Sequence, residues 1–78
     1  MENKTPNPTK AIDSAFDSVT LINKLVAETA DEKKKANVER NIKHLELMLT
    51  KDFFTAALTS TQKTEIEACI AAGNSYIG

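Results

Sequence analysis

The residues of this sequence best suited to chemistry are basic side chains along one predicted helix. Three consecutive lysines begin the set, and further basic or titratable residues follow at intervals of one to two helical turns. The set is Lys33, Lys34, Lys35, Arg40, His44 and Lys51. Such a stripe is typical of contacts with nucleic-acid phosphates. Because Glu32 and Glu39 lie among these residues and the net charge is −1, nucleic-acid binding is our alternative hypothesis rather than our first.

The single histidine and the single cysteine are the candidates for a catalytic base and nucleophile. Cys69 falls on the predicted inner face of one helix and His44 on the outer face of another, so we expect them to be apart. Glu32, Glu39 and Glu46 repeat every seven positions, which places their carboxylates about 10 Å apart, too far to share a metal ion. We therefore predict that the protein is not an enzyme and has no cofactor, catalytic residue or metal site.

Several apolar residues lie off the helix faces that are expected to form the core. The set is Leu21, Leu25, Leu47, Phe54, Leu58 and Tyr76. Aliphatic and aromatic side chains on a surface are the residues that anchor protein–protein contacts. Our first hypothesis is therefore a small helical protein-interaction module, either a self-associating adaptor or an assembly accessory, whose partner is another protein or a second copy in a homodimer.

The stretch from residue 38 to residue 49 carries the clearest helical pattern. Apolar residues recur there at intervals of three and four, as on one side of an α-helix. They are Val38, Ile42, Leu45, Met48 and Leu49. Similar stripes before and after it predict helices over about residues 8–28, 31–51 and 60–72. Asn7 and Pro8 are suited to begin the first helix, as cap and first helical residue.

The predicted helix ends depend on capping residues and glycine. For the second helix, either a capping box formed by Thr29 with Glu32 or a cap formed by Asp31 fits the sequence. Thr59 and Gln62 predict a second capping box at the start of the last helix. Gly73 is expected to end that helix, because glycine just beyond a helix readily adopts the left-handed conformation. Small residues also lie within this helix and allow a neighbouring helix to approach closely, namely Ala68, Ala71 and Ala72.

The apolar pattern changes phase near Thr50. One explanation is a bend, with Asp52 capping a short helical turn over about residues 52–58 that folds Phe53 and Phe54 inward. The other is a continuous helix, in which Leu47, Phe54 and Leu58 form a second stripe that meets another molecule. We favour the bend, because two buried phenylalanines contribute much of the core available to so short a chain.

The sequence therefore predicts an all-α fold, a small three-helix bundle with one extra helical turn. Residues 8–78 would form a single helical domain, and residues 1–7 a flexible polar tail. The apolar fraction of 41% is ordinary for a globular protein. A core in a chain of 78 residues contributes only about 3–5 kcal/mol of net stability, which favours further burial by association.

Cysteine usage and hydropathy indicate where the protein works. With Cys69 as the only cysteine, no internal disulfide can form, which is typical of the reducing cytosol. The first ten residues are polar and lack the apolar core of a signal peptide. No run approaches the ~20 apolar residues that span a bilayer. We expect a cytoplasmic protein that does not bind membranes.

Several short motifs occur within residues 38–77. They are His44-Leu45-Glu46, Met48-Leu49, Lys51-Asp52, Ala57-Leu58-Thr59, Gln62-Lys63, Ile66-Glu67-Ala68 and Ala71-Ala72-Gly73-Asn74. Through these motifs the second half of the chain resembles small helical proteins encoded by tailed phages. This resemblance implies no activity and no catalytic residues. The resemblance implies a bacterial or phage-infected cell as the setting. In such a cell the protein would be a host-directed adaptor or a virion-assembly accessory.

Overall fold

Four α-helices make up most of the described chain. The computed structural model describes residues 8–78, and its helices are α1 (Pro8–Val26), α2 (Glu32–Leu49), α3 (Asp52–Ala57) and α4 (Ser60–Ile77). No strand occurs between residues 8 and 78, so the all-α prediction is confirmed there. The predicted tail over residues 1–7 and the predicted cap at Asn7 lie outside the described residues.

One hydrophobic core joins all four helices. Its members come from the inner faces that helical periodicity marks on α1, α2 and α4, with one aromatic side chain from α3. They are Ala15, Val19, Ile22, Val38, Ile42, Leu45, Phe54, Ile66 and Cys69. Burying a large apolar side chain of this kind contributes about 1.5–3 kcal/mol, so the core is the main source of stability.

The helix directions follow from the short connections between them. Five residues separate α1 from α2, so these helices run antiparallel, and the Ser14 Oγ lies 3.4 Å from His44 Nε2 across their contact. The α3 turn reverses the chain again. As a result α4 runs parallel to α1, and the Cys69 Sγ lies 3.7 Å from the carbonyl oxygen of Val19.

Side-chain caps begin α2 and α4. The Asp31 carboxylate accepts a hydrogen bond of 2.8 Å from the backbone N–H of Lys34, so Asp31 rather than Thr29 caps α2. At α4 the predicted capping box is confirmed. The Gln62 N–H donates to Thr59 Oγ1 at 3.0 Å, and the Thr59 N–H donates to Gln62 Oε1 at 2.9 Å. The first helix ends at Val26, before the predicted residue 28.

The bend after α2 is confirmed, and the continuous helix is wrong. Helix α2 ends at Leu49 and α3 begins at Asp52. Phe54 is fully buried and Phe53 packs at the edge of the core. The predicted cap is wrong, because Lys51 occupies the capping position and makes no side-chain hydrogen bond there. The bend is therefore held by phenylalanine burial rather than by a side-chain cap.

The prediction that α4 ends at Gly73 is wrong. The helix continues to Ile77, and Gly73 is buried within it with no positive φ. A Cβ atom at Gly73 would lie 2.6 Å from Ile42 Cδ1 and 3.1 Å from a Val38 methyl group. Gly73 therefore serves the close approach of α4 to α2. Tyr76 and the residue after it are helical and pack against the core.

Candidate interaction surface

The apolar residues predicted to form an interface occupy different environments. Phe54 is completely buried in the core, which corrects its assignment to a surface. Three of the others are half-buried and pack against the core, namely Leu25, Leu58 and Tyr76. The side chains that remain exposed are Leu21, at 39%, and Leu47, at 56%.

The two exposed leucines are not neighbours. Because Ser14 contacts His44 in an antiparallel pair, Leu47 is level with the start of α1, whereas Leu21 is level with the first half of α2. This offset of ten helical positions corresponds to about 15 Å of helix rise. A single partner side chain cannot contact both, so the exposed leucines do not form one continuous patch.

Lys34, within the predicted basic stripe, is paired inside the chain. Its Nζ lies 3.1 Å from Glu28 Oε1 and 3.9 Å from Asp31 Oδ2, and it donates to the carbonyl oxygen of Thr29 at 3.3 Å. The hydrogen bond to Glu28, aided by the nearby acidic charges, raises the Lys34 pKa above its usual value. Lys34 thus ties the α1–α2 connection to α2.

The other members of the basic stripe differ in how accessible they are to a nucleic-acid partner. Arg40 is exposed and donates a 2.8 Å hydrogen bond to Asn37 Oδ1. The predicted outer position of His44 is wrong, because the ring is half-buried where α2 meets Ser14 of α1. The exposed lysines of the set are Lys33, Lys35 and Lys51.

The histidine and the cysteine contact different parts of α1. His44 lies beside Ser14, whereas Cys69 lies on the inner face of α4, as predicted, and is buried against Val19. These α1 residues are five positions apart, or about 7.5 Å along the helix. Burial raises the pKa of the Cys69 thiol, which keeps it protonated and a poor nucleophile.

A concave groove lies between α1 and α4. It is shallow, open to solvent and about 460 Å³ in volume. Its lining residues are Phe16, Val19, Asn23, Glu65, Ala68, Cys69 and Ala72. We call it the α1/α4 groove. It forms because α1 and α4 are parallel neighbours and the α4 wall is built of alanines, whose short side chains leave space beside Phe16.

The α1/α4 groove is polar at one end. The pairing of Val19 with Cys69 places Glu65, one turn earlier in α4, level with Phe16. Asp13 lies one turn before Phe16 on α1. Both carboxylates are exposed, and neither forms an ion pair with another residue of the described chain. The apolar floor is therefore bordered by negative charge.

Part of this groove has a signal in the sequence. Ala68 and Ala72 were predicted to be small enough for a neighbouring helix to approach, and both are exposed where they line the groove beside α1. Alanines spaced four apart on the outer side of a helix, rather than on its inner face, were the available signal. A second signal was Phe16, which lies at the edge of the apolar stripe that Ala15, Val19 and Ile22 form on α1.

Comparison with protein-family models, curated proteins and solved structures gave no match to this chain. Among the helices described for residues 8–78, none is both long enough and apolar enough to cross a membrane. That same part of the chain contains no group of three or more histidine, cysteine, aspartate or glutamate residues placed to hold a metal ion. The α1/α4 groove is the surface feature on which our functional proposal depends.

Proposed function

We propose that this protein is a non-enzymatic protein-interaction module whose α1/α4 groove receives an apolar side chain of a protein partner. The observation that carries the proposal is the combination of an apolar floor, Phe16 with Val19, and a low wall, Ala68 with Ala72. Apolar side chains inserted into concave apolar sites supply most of the binding energy of protein interfaces. A rim carrying Glu65 would add selectivity through charge.

The shape of the groove favours a macromolecular partner over a small ligand. Sites for small molecules typically enclose 70–90% of the ligand surface, which requires a deep cleft. The α1/α4 groove is shallow and open, so a small molecule would stay largely in water there. A protein brings its own surrounding surface and covers the groove from outside.

We further propose that the module works in the cytoplasm of a bacterial or phage-infected cell, as an adaptor or an assembly accessory. The unpaired Cys69 supports a reducing compartment. The resemblance of residues 38–77 to small phage-encoded helical proteins supports the setting. The small core supports a role in association, because binding to a partner would bury further apolar surface and add stability.

Selection of peptides on the immobilised protein tests the proposal with no partner chosen in advance. We expect a random peptide library to yield binders with an aliphatic or aromatic anchor. Ala72→Glu should weaken their binding at least about tenfold, since it places a charge in the groove. Ala71→Glu is the matched control, because Ala71 is exposed on the same helix but does not line the groove. Peptides bound equally by both variants would contradict the proposal.

The alternative function, nucleic-acid binding, is supported by exposed Lys33, Arg40 and Lys51 on α2 and its C-terminal flank. It has less support than the groove, because Lys34 is ion-paired and Lys43 lies 3.6 Å from Glu39. Fluorescence anisotropy with labelled duplex and single-stranded DNA at low salt tests it. Binding that weakens steeply with salt and is lost in the double variant Lys33→Glu/Arg40→Glu would establish the alternative.

A further inference from the structure

We propose that the α1/α4 groove of one copy receives Leu47 of a second copy, in a head-to-tail contact. This inference rests on the proposed function, because it names the occupant of the same groove. It commits to self-association through two different surfaces, one on the outer side of α2 and the other between α1 and α4.

Leu47 is the most exposed large apolar side chain of the described residues, at 56%. It lies on the side of α2 opposite the core residues Val38, Ile42 and Leu45, so it projects away from its own helix bundle. Exposed aliphatic residues that occur alone are common, and exposure by itself names no partner. The charged residues around Leu47 indicate which surface it would contact.

Basic residues lie before and after Leu47 along the chain, and one acidic residue, the exposed Glu46, adjoins it. Arg40 lies two turns before Leu47 on the same side of α2, Lys51 follows just beyond the end of α2, and both are exposed. Lys43, one turn before, is also exposed at 71% of its side chain although it pairs with Glu39. The outer face of α2 therefore carries an apolar side chain with more basic than acidic residues beside it.

The groove carries the opposite charge. Glu65 lines it, and Asp13 lies one turn before the lining residue Phe16 on α1. Neither carboxylate has an ion-pair partner among the described residues. Docking Leu47 against Phe16 would bring the basic residues of one copy toward these carboxylates of the other. Complementary charge at the rim fixes orientation and raises the association rate, while the inserted side chain supplies affinity.

The two surfaces lie on opposite sides of the molecule. The groove is formed by α1 and α4, and the outer face of α2 points away from both, because α2 packs against them through its core side. Each copy therefore offers one projecting Leu47 and one groove, which can be occupied at the same time. Contacts of this kind are heterologous and produce chains, or rings where the rotation closes.

Sedimentation velocity over a wide concentration range, with two complementary variants, tests the inference. The wild-type protein should form species larger than a dimer as concentration rises. Leu47→Glu removes the projecting residue and Ala72→Glu blocks the groove, so each variant alone should be monomeric. An equimolar mixture should form a 1:1 heterodimer and nothing larger, since it contains one intact Leu47 and one intact groove per pair.

Controls separate the possible outcomes. Both substituted residues are exposed, so circular dichroism should match wild type, and Leu47→Ala provides a milder second variant. Ala71→Glu should associate like wild type. A monomeric wild type, a dimer that survives Ala72→Glu, or a mixture without heterodimer would each overturn the inference. Peptide binding that is sensitive to Ala72→Glu would still support the proposed function if self-association fails.

Discussion

At the scale of single residues, Gly73 decides how closely α2 and α4 approach. In an isolated helix, alanine would be favoured over glycine by about 1 kcal/mol. Here an added Cβ would meet Ile42 Cδ1 at 2.6 Å. We therefore expect Gly73→Ala to lower the free energy of unfolding by about 1–3 kcal/mol, as overpacked substitutions do. Urea denaturation followed by circular dichroism measures this.

A double variant checks the cause. Ile42→Val removes the Cδ1 atom that the new methyl group would meet, at a cost of about 0.5–1.5 kcal/mol by itself. The combination with Gly73→Ala should lose less stability than the sum of the single variants. Stability losses of the two single variants that simply add in the double variant would contradict this explanation, and so would a stabilising Gly73→Ala. Either result would show that the contact with Ile42 is not the reason for glycine at position 73.

Tyr76 offers a second test at this scale. Its hydroxyl oxygen is buried and has no hydrogen-bond partner among the described residues. Such a group carries a desolvation penalty, so Tyr76→Phe should leave the free energy of unfolding unchanged or raise it by about 1 kcal/mol. The same urea titration applies. A loss of about 1 kcal/mol or more would show that the hydroxyl is hydrogen-bonded in solution.

At the scale of helices, the capping box of α4 holds the start of the last helix. Thr59→Ala removes the acceptor for the Gln62 N–H and should cost about 1 kcal/mol of unfolding free energy. Thr61→Ala is the matched control, because Thr61 is exposed and lies inside the helix. Equal effects of the two substitutions would show that the cap contributes nothing beyond helix propensity.

Helix positions were the part of the fold that the sequence could predict. Periodic apolar residues and the Thr59–Gln62 box mark helices through local physics alone. Gly73 shows the limit, since both a helix end and a close helix contact require a residue without a Cβ. The sequence alone cannot distinguish these cases, because the contact partner, Ile42, is distant along the chain.

The candidate site was predictable only in part for the same reason. Phe54 was assigned both to a possible surface and to the core, and its burial depends on the angle between α2 and α3. The α1/α4 groove exists because α3 returns the chain parallel to α1. Periodicity identifies Phe16 and Ala72 as edge positions, but it does not bring them together.

At the scale of the whole molecule, Cys69 reports how often the bundle opens. Its thiol is buried, and its pKa is raised above the usual value of 9.0. We expect Ellman's reagent to react slowly with the native protein and much faster in urea, since reaction requires opening. Labelling of the native protein at the rate of a free thiol would show that α1 and α4 separate readily.

The raised Cys69 pKa also predicts how stability depends on pH. As the pH rises through the ordinary thiol pKa, the unfolded chain loses the thiol proton while the folded chain still holds it. The unfolded state then binds fewer protons, so the free energy of unfolding falls as pH rises through this window. In Cys69→Ala this part of the decline should disappear, which urea titrations at several alkaline pH values would detect.

The parallel arrangement of α1 and α4 has a mechanical consequence. Pro8 begins α1 at one end of the bundle, and Ile77 closes α4 at the other. Tension applied between these two residues therefore slides α1 along α4 and loads all their contacts at once, including the one between Val19 and Cys69. Antiparallel neighbours pulled from adjacent ends separate one turn at a time. This bundle is instead connected so that force along its length is borne in shear.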